Sequence, residues 1–126
     1  LISALHAEGV TMAVGSSGPL PNIQLVLQLL GIAHFFSALS TGEDVRHGKP
    51  DPEVFLVAAR RLGRPPERCV VLEDAPQGVE AARRGGMAVL GITSSRAAED
   101  LPADRVVRTF EGLRPQDLRE LLGAAR

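Results

Sequence analysis

VVLEDAPQGVEAA, residues 70–82, is the stretch on which the fold of this chain turns. Together with Cys69, its first three residues make a short, β-branched, uncharged run of the kind found in the middle of a parallel sheet. Two adjacent carboxylates, Glu73 and Asp74, end the run. A Pro-x-Gly turn follows at Pro76 and Gly78, and then residues 79–84, whose small and apolar side chains suit a helix packed closely on a sheet. Carboxylates at the carboxyl end of a buried strand project into the crevice where open α/β sheets bind their ligands. The placement predicts a cation site.

The segments on either side repeat the pattern. Upstream, residues 53–62 carry Val54, Phe55, Ala58 and Leu62 at helical spacing, and Gly63 closes that helix. It is preceded by the rigid segment Gly48-Lys49-Pro50-Asp51-Pro52, in which Asp51 reads as an N-cap with proline behind it. Residues 41–47 read as polar loop and 35–40 as a strand. Further upstream, residues 10–14 read as a strand, Gly15-Ser16-Ser17-Gly18 as a tight turn, and 23–30 as a helix stopped by Gly31. Downstream, residues 87–92 form a strand, 93–100 a loose stretch, 105–108 a short strand and 114–122 a final helix. Strands that alternate with helices in this way predict an α/β fold with a mostly parallel sheet and right-handed crossovers.

Composition sets the outer bounds. The chain has 126 residues, 44% of them hydrophobic and 23% charged, which is one ordinary folded domain. A net charge of −1 gives no electrostatic reason to expect nucleic acid or an acidic membrane as partner, and no apolar run is long enough to span a bilayer. The single cysteine, Cys69, forms no internal disulfide and reads as a small core hydrophobe. With no leader-like segment at the start, the expected compartment is the cytoplasm. The chain opens on Leu1-Ile2-Ser3 within a helical pattern that Gly9 ends, so a piece of a longer protein is expected.

Three loops that follow strands supply three types of group. Ser16, Ser17 and Gly18 offer hydroxyls and backbone N–H groups before a helix N-terminus, which suits phosphate. Lys49, the one lysine among fourteen basic residues, offers a compact ammonium that neutralises the same anion. Glu73 and Asp74 offer hard oxygen ligands, and a carboxylate pair completed by substrate phosphate is how proteins commonly hold Mg²⁺. Together they describe a magnesium-assisted phosphoryl-transfer site. Each also has a structural role open to it: the serines in the turn, Lys49 and Glu73 in solvent, Asp74 as a cap. His6, His34 and His47 have no metal-ligand spacing.

VGSSG (14–18), GKPDPEVFLVAARRLG (48–63) and VVLEDAPQGVEAARRGGM (70–87) resemble the second, third and fourth motifs of the haloacid dehalogenase-like hydrolase superfamily. The similarity is to its β-phosphoglucomutase-like and phosphoglycolate phosphatase-like branch, over residues 1–94. The resemblance implies a three-layer Rossmann-like core in which Ser16 binds the transferring phosphoryl group and Lys49 stabilises its charge. It implies that Asp74, with Glu73 beside it, serves Mg²⁺, and that the substrate is a small phosphorylated metabolite. Dehalogenases of the superfamily carry Ser-Asn-x-x-Asp where this chain has Glu73-Asp74, which favours a phosphatase or phosphomutase. The family's nucleophile, the first Asp of an N-terminal Asp-x-Asp strand, and the helical cap after it have no counterpart here: the first aspartate is Asp44.

The expected protein is therefore the C-terminal part of such a core, inactive alone, whose partner is the N-terminal segment of the same protein. In the resembled fold that segment's strand lies between the strand before Ser16 and the strand before Glu73. A non-catalytic phosphate- or metal-binding module is the alternative. A phosphoacceptor receiver domain fits less well, since it needs its acidic pair after the first strand and its lysine after the last.

Overall fold

A computed structural model describes residues 1–93 and 101–124. Its elements in chain order are α1 (Ile2–Ala7), β1 (Ala13–Gly15), α2 (Leu20–Leu29), β2 (Ala38–Ser40), α3 (Glu53–Leu62) and β3 (Val70–Glu73). They continue with α4 (Pro76–Arg84), β4 (Ala88–Ile92), β5 (Arg105–Val107) and α5 (Pro115–Ala124). Short 3-10 turns lie at Ala33–Phe35, Gly42–Asp44 and Pro66–Arg68. None of the described helices is long and apolar enough to cross a membrane.

Every described strand pairing is parallel, and side-chain alternation along the strands divides the core into two layers. Val71, Val89 and Val106 point to one face of the sheet, where Val54, Phe55 and Ala59 of α3 meet Val79, Ala81 and Ala82 of α4. Val70, Leu90 and Val107 point to the other face, against Leu5 of α1 and Leu118 and Leu121 of α5. Strand β4, covered on both faces and paired on both edges, has Val89 and Leu90 with no exposed surface. A strand with that environment must be apolar throughout, which is why residues 88–92 carry no polar side chain.

The strands divide into two sheets. One has the order β1-β2, with Gly15 opposite Ser40, and the other has the order β3-β4-β5. Among the described residues β1 and β3 do not pair, so each has a neighbour on one side only. Leu72 of β3 is 37% exposed, whereas its partner in register, Leu90, is fully buried. Helices bridge the two sheets: α3 lies on β1 and β2, α4 on β3 and β4, and the two helices touch each other.

Local chemistry moved several boundaries. The strand expected at residues 35–40 is a 3-10 turn followed by the three residues of β2, and β1 occupies 13–15 rather than 10–14. Helix α2 starts at Leu20, with Pro21 in its first turn, three residues before the apolar periodicity begins. Pro76 and Gly78 lie inside α4 and not in a turn before it. The loose stretch expected at residues 93–100 falls, apart from Thr93, outside the described residues.

The polar segment 41–47 is more ordered than a loop. Thr41 and Asp44 form a capping box, with Thr41 N donating to Asp44 Oδ2 at 2.9 Å and Glu43 N donating to Thr41 Oγ1 at 3.3 Å. Arg61 of α3 then grips Asp44 with both guanidinium nitrogens, at 2.9 and 3.1 Å, and also donates to the Leu39 carbonyl of β2. The Arg61 guanidinium, aided by the Thr41 backbone N–H, holds the Asp44 carboxyl at about 2, below its ordinary 3.8.

Two tests follow from this packing. Leu90→Ala leaves a cavity in a strand covered on both faces and is expected to cost about 2–5 kcal/mol in denaturant unfolding; a loss within error of zero would show that β4 is not central. For Asp44 the folded value is depressed, so its contribution to stability is complete above 3.8 and lost as pH falls through about 2. The difference in Tm between wild type and Asp44→Asn should hold steady near neutrality and shrink over that window. A gap that stays constant to the acid end contradicts the clamp.

Candidate functional site

The candidate residues are carried by segments that follow the carboxyl ends of β1, β2 and β3, the end at which parallel α/β sheets bind ligands. After β1 the chain turns at Gly15, where a Cβ would stand 2.9 Å from the ring of Phe55, so the absence of a side chain lets α3 approach the strand end. Ser16 N donates to the Ser40 carbonyl at 2.9 Å, which carries the β1–β2 pairing one residue further. Ser16 Oγ accepts from Gly18 N at 3.1 Å. A hydroxyl that accepts this bond keeps its own proton free to donate. Ser17, beside it, is exposed.

Lys49 lies on the segment between the Gly42–Asp44 turn and α3, and its peptide bond to Pro50 is cis. Glu53, at the start of α3, steadies that segment by accepting from Arg46 N at 3.1 Å and His47 N at 3.4 Å. The N-cap of α3 is Pro52 and not Asp51 as expected, because the helix starts one residue later, at Glu53; Asp51, one position before the cap, still accepts from Glu53 N at 2.9 Å. The Lys49 ammonium stands 4.8 Å from the centre of the Phe55 ring and 2.8 Å from Glu73 Oε2. The two charged side chains are only 18% and 10% exposed. Burial to this degree reduces solvent screening and makes the pair costly to leave half-made.

Glu73 is folded back onto its own loop. Its Oε1 accepts from Asp74 N at 3.0 Å and Ala75 N at 3.3 Å, while Oε2 takes Lys49. The carboxylate thus lies over the first turn of α4, where unpaired N–H groups favour negative charge. It fits there because residue 78 is glycine: a Cβ would lie 1.9 Å from Glu73 Oε2 and 2.2 Å from its Cγ. Asp74 does not cap the helix, whose N-cap is Ala75. Its carboxylate is exposed and has no hydrogen-bond partner among the described residues.

A continuous series of contacts, Gly15 to Phe55 to Lys49 to Glu73, therefore connects the serine loop with the carboxylate loop across the two sheets. No three His, Cys, Asp or Glu side chains gather into a metal cage among the described residues. Magnesium needs no such cage, since it commonly takes one or two carboxylates and completes its shell with water and phosphate oxygens. The exposed Asp74 suits that use, and Glu73 beside it is held chiefly by Lys49. The histidines are used elsewhere: His6 and His34 pack on the Phe35 ring, with centroids 5.2 and 4.0 Å away. Burial pushes the Cys69 thiol up, and its sulfur donates to the Pro65 carbonyl at 3.4 Å.

Three contributors were not singled out from the sequence. Phe55 reads as one more apolar residue of a helix, Glu53 as a first-turn acid and Gly78 as a turn residue. The signal for Gly78 was present, because glycine inside a helix costs about 1 kcal/mol relative to alanine and calls for a reason.

A family model for haloacid dehalogenase-like hydrolases matches residues 1–86. Among curated relatives, a phosphoglycolate phosphatase from Salmonella paratyphi A is 36% identical over 92 residues, which cover 73% of this chain and 36% of that protein. A solved structure of CbbY from Rhodobacter sphaeroides in complex with phosphate is 30% identical, with a TM-score of 0.86, covering 94% of this chain and 56% of that one. A β-phosphoglucomutase from Clostridium difficile is 26% identical, with a TM-score of 0.87, covering 97% and 53%. The chain thus spans about a third to a half of the length of the curated relatives it matches and about half of the solved structures. The resemblance carried by residues 14–18, 48–63 and 70–87 is borne out over more than half of the sequence, and the chain belongs to the haloacid dehalogenase-like hydrolases.

Proposed function

We propose that this chain is the phosphate- and metal-binding part of a magnesium-dependent phosphatase or phosphomutase that acts on a small phosphorylated metabolite through an aspartyl-phosphate intermediate. The observation that carries the reading is the pairing of Lys49 with Glu73 beside the exposed carboxylate of Asp74, joined through Phe55 to the serine loop. The activities of relatives support the substrate class: a fructose-1-phosphate phosphatase from Escherichia coli and the phosphoglycolate phosphatase both act on small phosphate esters.

In this reading Ser16, Ser17 and Gly18 hold phosphate oxygens with hydroxyl and N–H donors, and Ser16 donates its free proton. Lys49 adds positive charge from a fixed position, since Glu73 and the Phe55 ring hold its ammonium before a ligand arrives. Donors fixed in advance stabilise developing charge without reorganising at the moment of reaction. Asp74, with Glu73 beside it, would hold Mg²⁺, which when bound supplies further charge neutralisation at the phosphate oxygens. The attacking aspartate would come from a segment outside these residues, on a strand seated between β1 and β3, which do not pair with each other among the described residues. The 126 residues alone then bind phosphate without turning substrate over.

Two substitutions in the intact protein test the reading. Asp74→Ala removes a hard anionic ligand and should weaken Mg²⁺ binding in calorimetry and abolish hydrolysis of para-nitrophenyl phosphate. Equal magnesium affinity in the two proteins would sink the metal assignment, and orthophosphate binding by an intact protein that never turns substrate over would favour the non-catalytic module. Gly78→Ala puts a methyl group where the Glu73 carboxylate lies. Displacing the carboxylate leaves the buried Lys49 half-paired, so Tm should fall despite the gain in helix propensity, and the freed Lys49 should cost roughly tenfold in orthophosphate affinity. Unchanged affinity would show that the Lys49–Glu73 geometry does not serve phosphate.

A further inference from the structure

Gly42, Asp44 and Arg61 belong to none of the groups assigned above, yet they converge on the loop after β1. A Cβ on Gly42 would lie 2.7 Å from the Ser17 carbonyl oxygen and 3.5 Å from its carbon, so the Gly42–Asp44 turn supports the serine loop backbone to backbone. The backbone at Gly42 is not left-handed, so glycine is required there by contact and not by conformation. One residue on, Glu43 Oε1 accepts from Leu20 N at 3.5 Å, at the far end of the same loop. The turn itself is locked, since Asp44 is bound by Thr41 N and Oγ1 and by two nitrogens of Arg61.

The contact with Ser17 has a chemical consequence two atoms away. The Ser17–Gly18 peptide is planar and trans, so a carbonyl held against Gly42 sends the Gly18 N–H to the opposite side. That N–H is the donor to Ser16 Oγ, at 3.1 Å. Holding the carbonyl therefore holds the acceptor lone pair of Ser16 and fixes the arc in which its proton points.

We propose that the Gly42–Asp44 turn, locked to α3 by Arg61, is the positioning element that aims the Ser16 hydroxyl and the adjacent N–H groups at a bound phosphate. This rests on reading residues 15–18 as a phosphate loop. Gly42, Asp44 and Arg61 are positioning residues that act through Ser16 and do not touch the anion themselves.

The test uses the intact protein, with inorganic phosphate as the probe. Gly42→Ala pushes the Ser17 carbonyl away, and Asp44→Asn loosens the turn without adding volume. Both are expected to shift the amide resonances of Ser16, Ser17 and Gly18 in the ligand-free protein, and Gly42→Ala to lower orthophosphate affinity about tenfold or more with Tm maintained. In a Ser16→Ala background Gly42→Ala should lower affinity much less, a dependence that general destabilisation would not produce. Arg84→Ala, which breaks the surface pair with Glu80, should leave both readouts as they are. If Gly42→Ala does not fold, Asp44→Asn decides the matter. Wild-type phosphate binding with loop resonances and affinity unchanged in the variants overturns the positioning role and leaves the phosphate loop standing. Shifted resonances in a protein that binds no phosphate would do the reverse.

Discussion

The contact on which the arrangement depends is the short, mostly buried ion pair between Lys49 and Glu73. It joins the two sheets at their carboxyl ends, where β1 and β3 are not hydrogen-bonded to each other. A pair buried to this extent is stable only when its remaining donors and acceptors are satisfied. Glu73 meets that condition through two backbone N–H groups at the start of α4, and Lys49 by resting on the Phe55 ring. Each support depends on a missing side chain. Gly78 leaves room for the Glu73 carboxylate, and Gly15 leaves room for Phe55. Two glycines and one aromatic ring thus set where a single ammonium stands.

Separating the charges in this way leaves Asp74 in a different state from its neighbour. Glu73 and Asp74 are adjacent in sequence, but alternation at the strand end turns one inward to the lysine and leaves the other exposed, without a partner among the described residues. An acidic pair that looks symmetrical in the sequence is divided by the backbone into a structural carboxylate and an available one. The same separation recurs on the other side of the site, where Asp44 is fully engaged by Arg61 and Thr41 in supporting the serine loop.

The division of basic residues follows similar physics. Arg61 serves where one cation must reach a carboxylate with two nitrogens and a carbonyl besides, a task for a planar fork. Lys49 stands where a single compact charge must fit between a ring and one carboxylate oxygen.

Much of the fold was legible in the amino-acid order because local chemistry determines it. Buried parallel strands must be uniformly apolar, helices must carry an apolar stripe, and glycine or proline must punctuate them, so the alternation of elements and the family motifs could be read directly. The loops bearing Ser16, Lys49 and Glu73-Asp74 were found the same way, as polar groups placed just after strands. What periodicity could not reveal was decided by contacts between residues far apart in the chain. Gly78 and Glu73 are five positions apart, and neither alone shows that one makes room for the other. Asp44 and Arg61 sit on different elements, and the 3-10 turn they hold carries no apolar pattern that would announce it. Sheet membership was likewise beyond local reading: β1 and β3 look like ordinary interior strands, and only the family resemblance, which sets another strand between them, implied that they do not pair among the described residues.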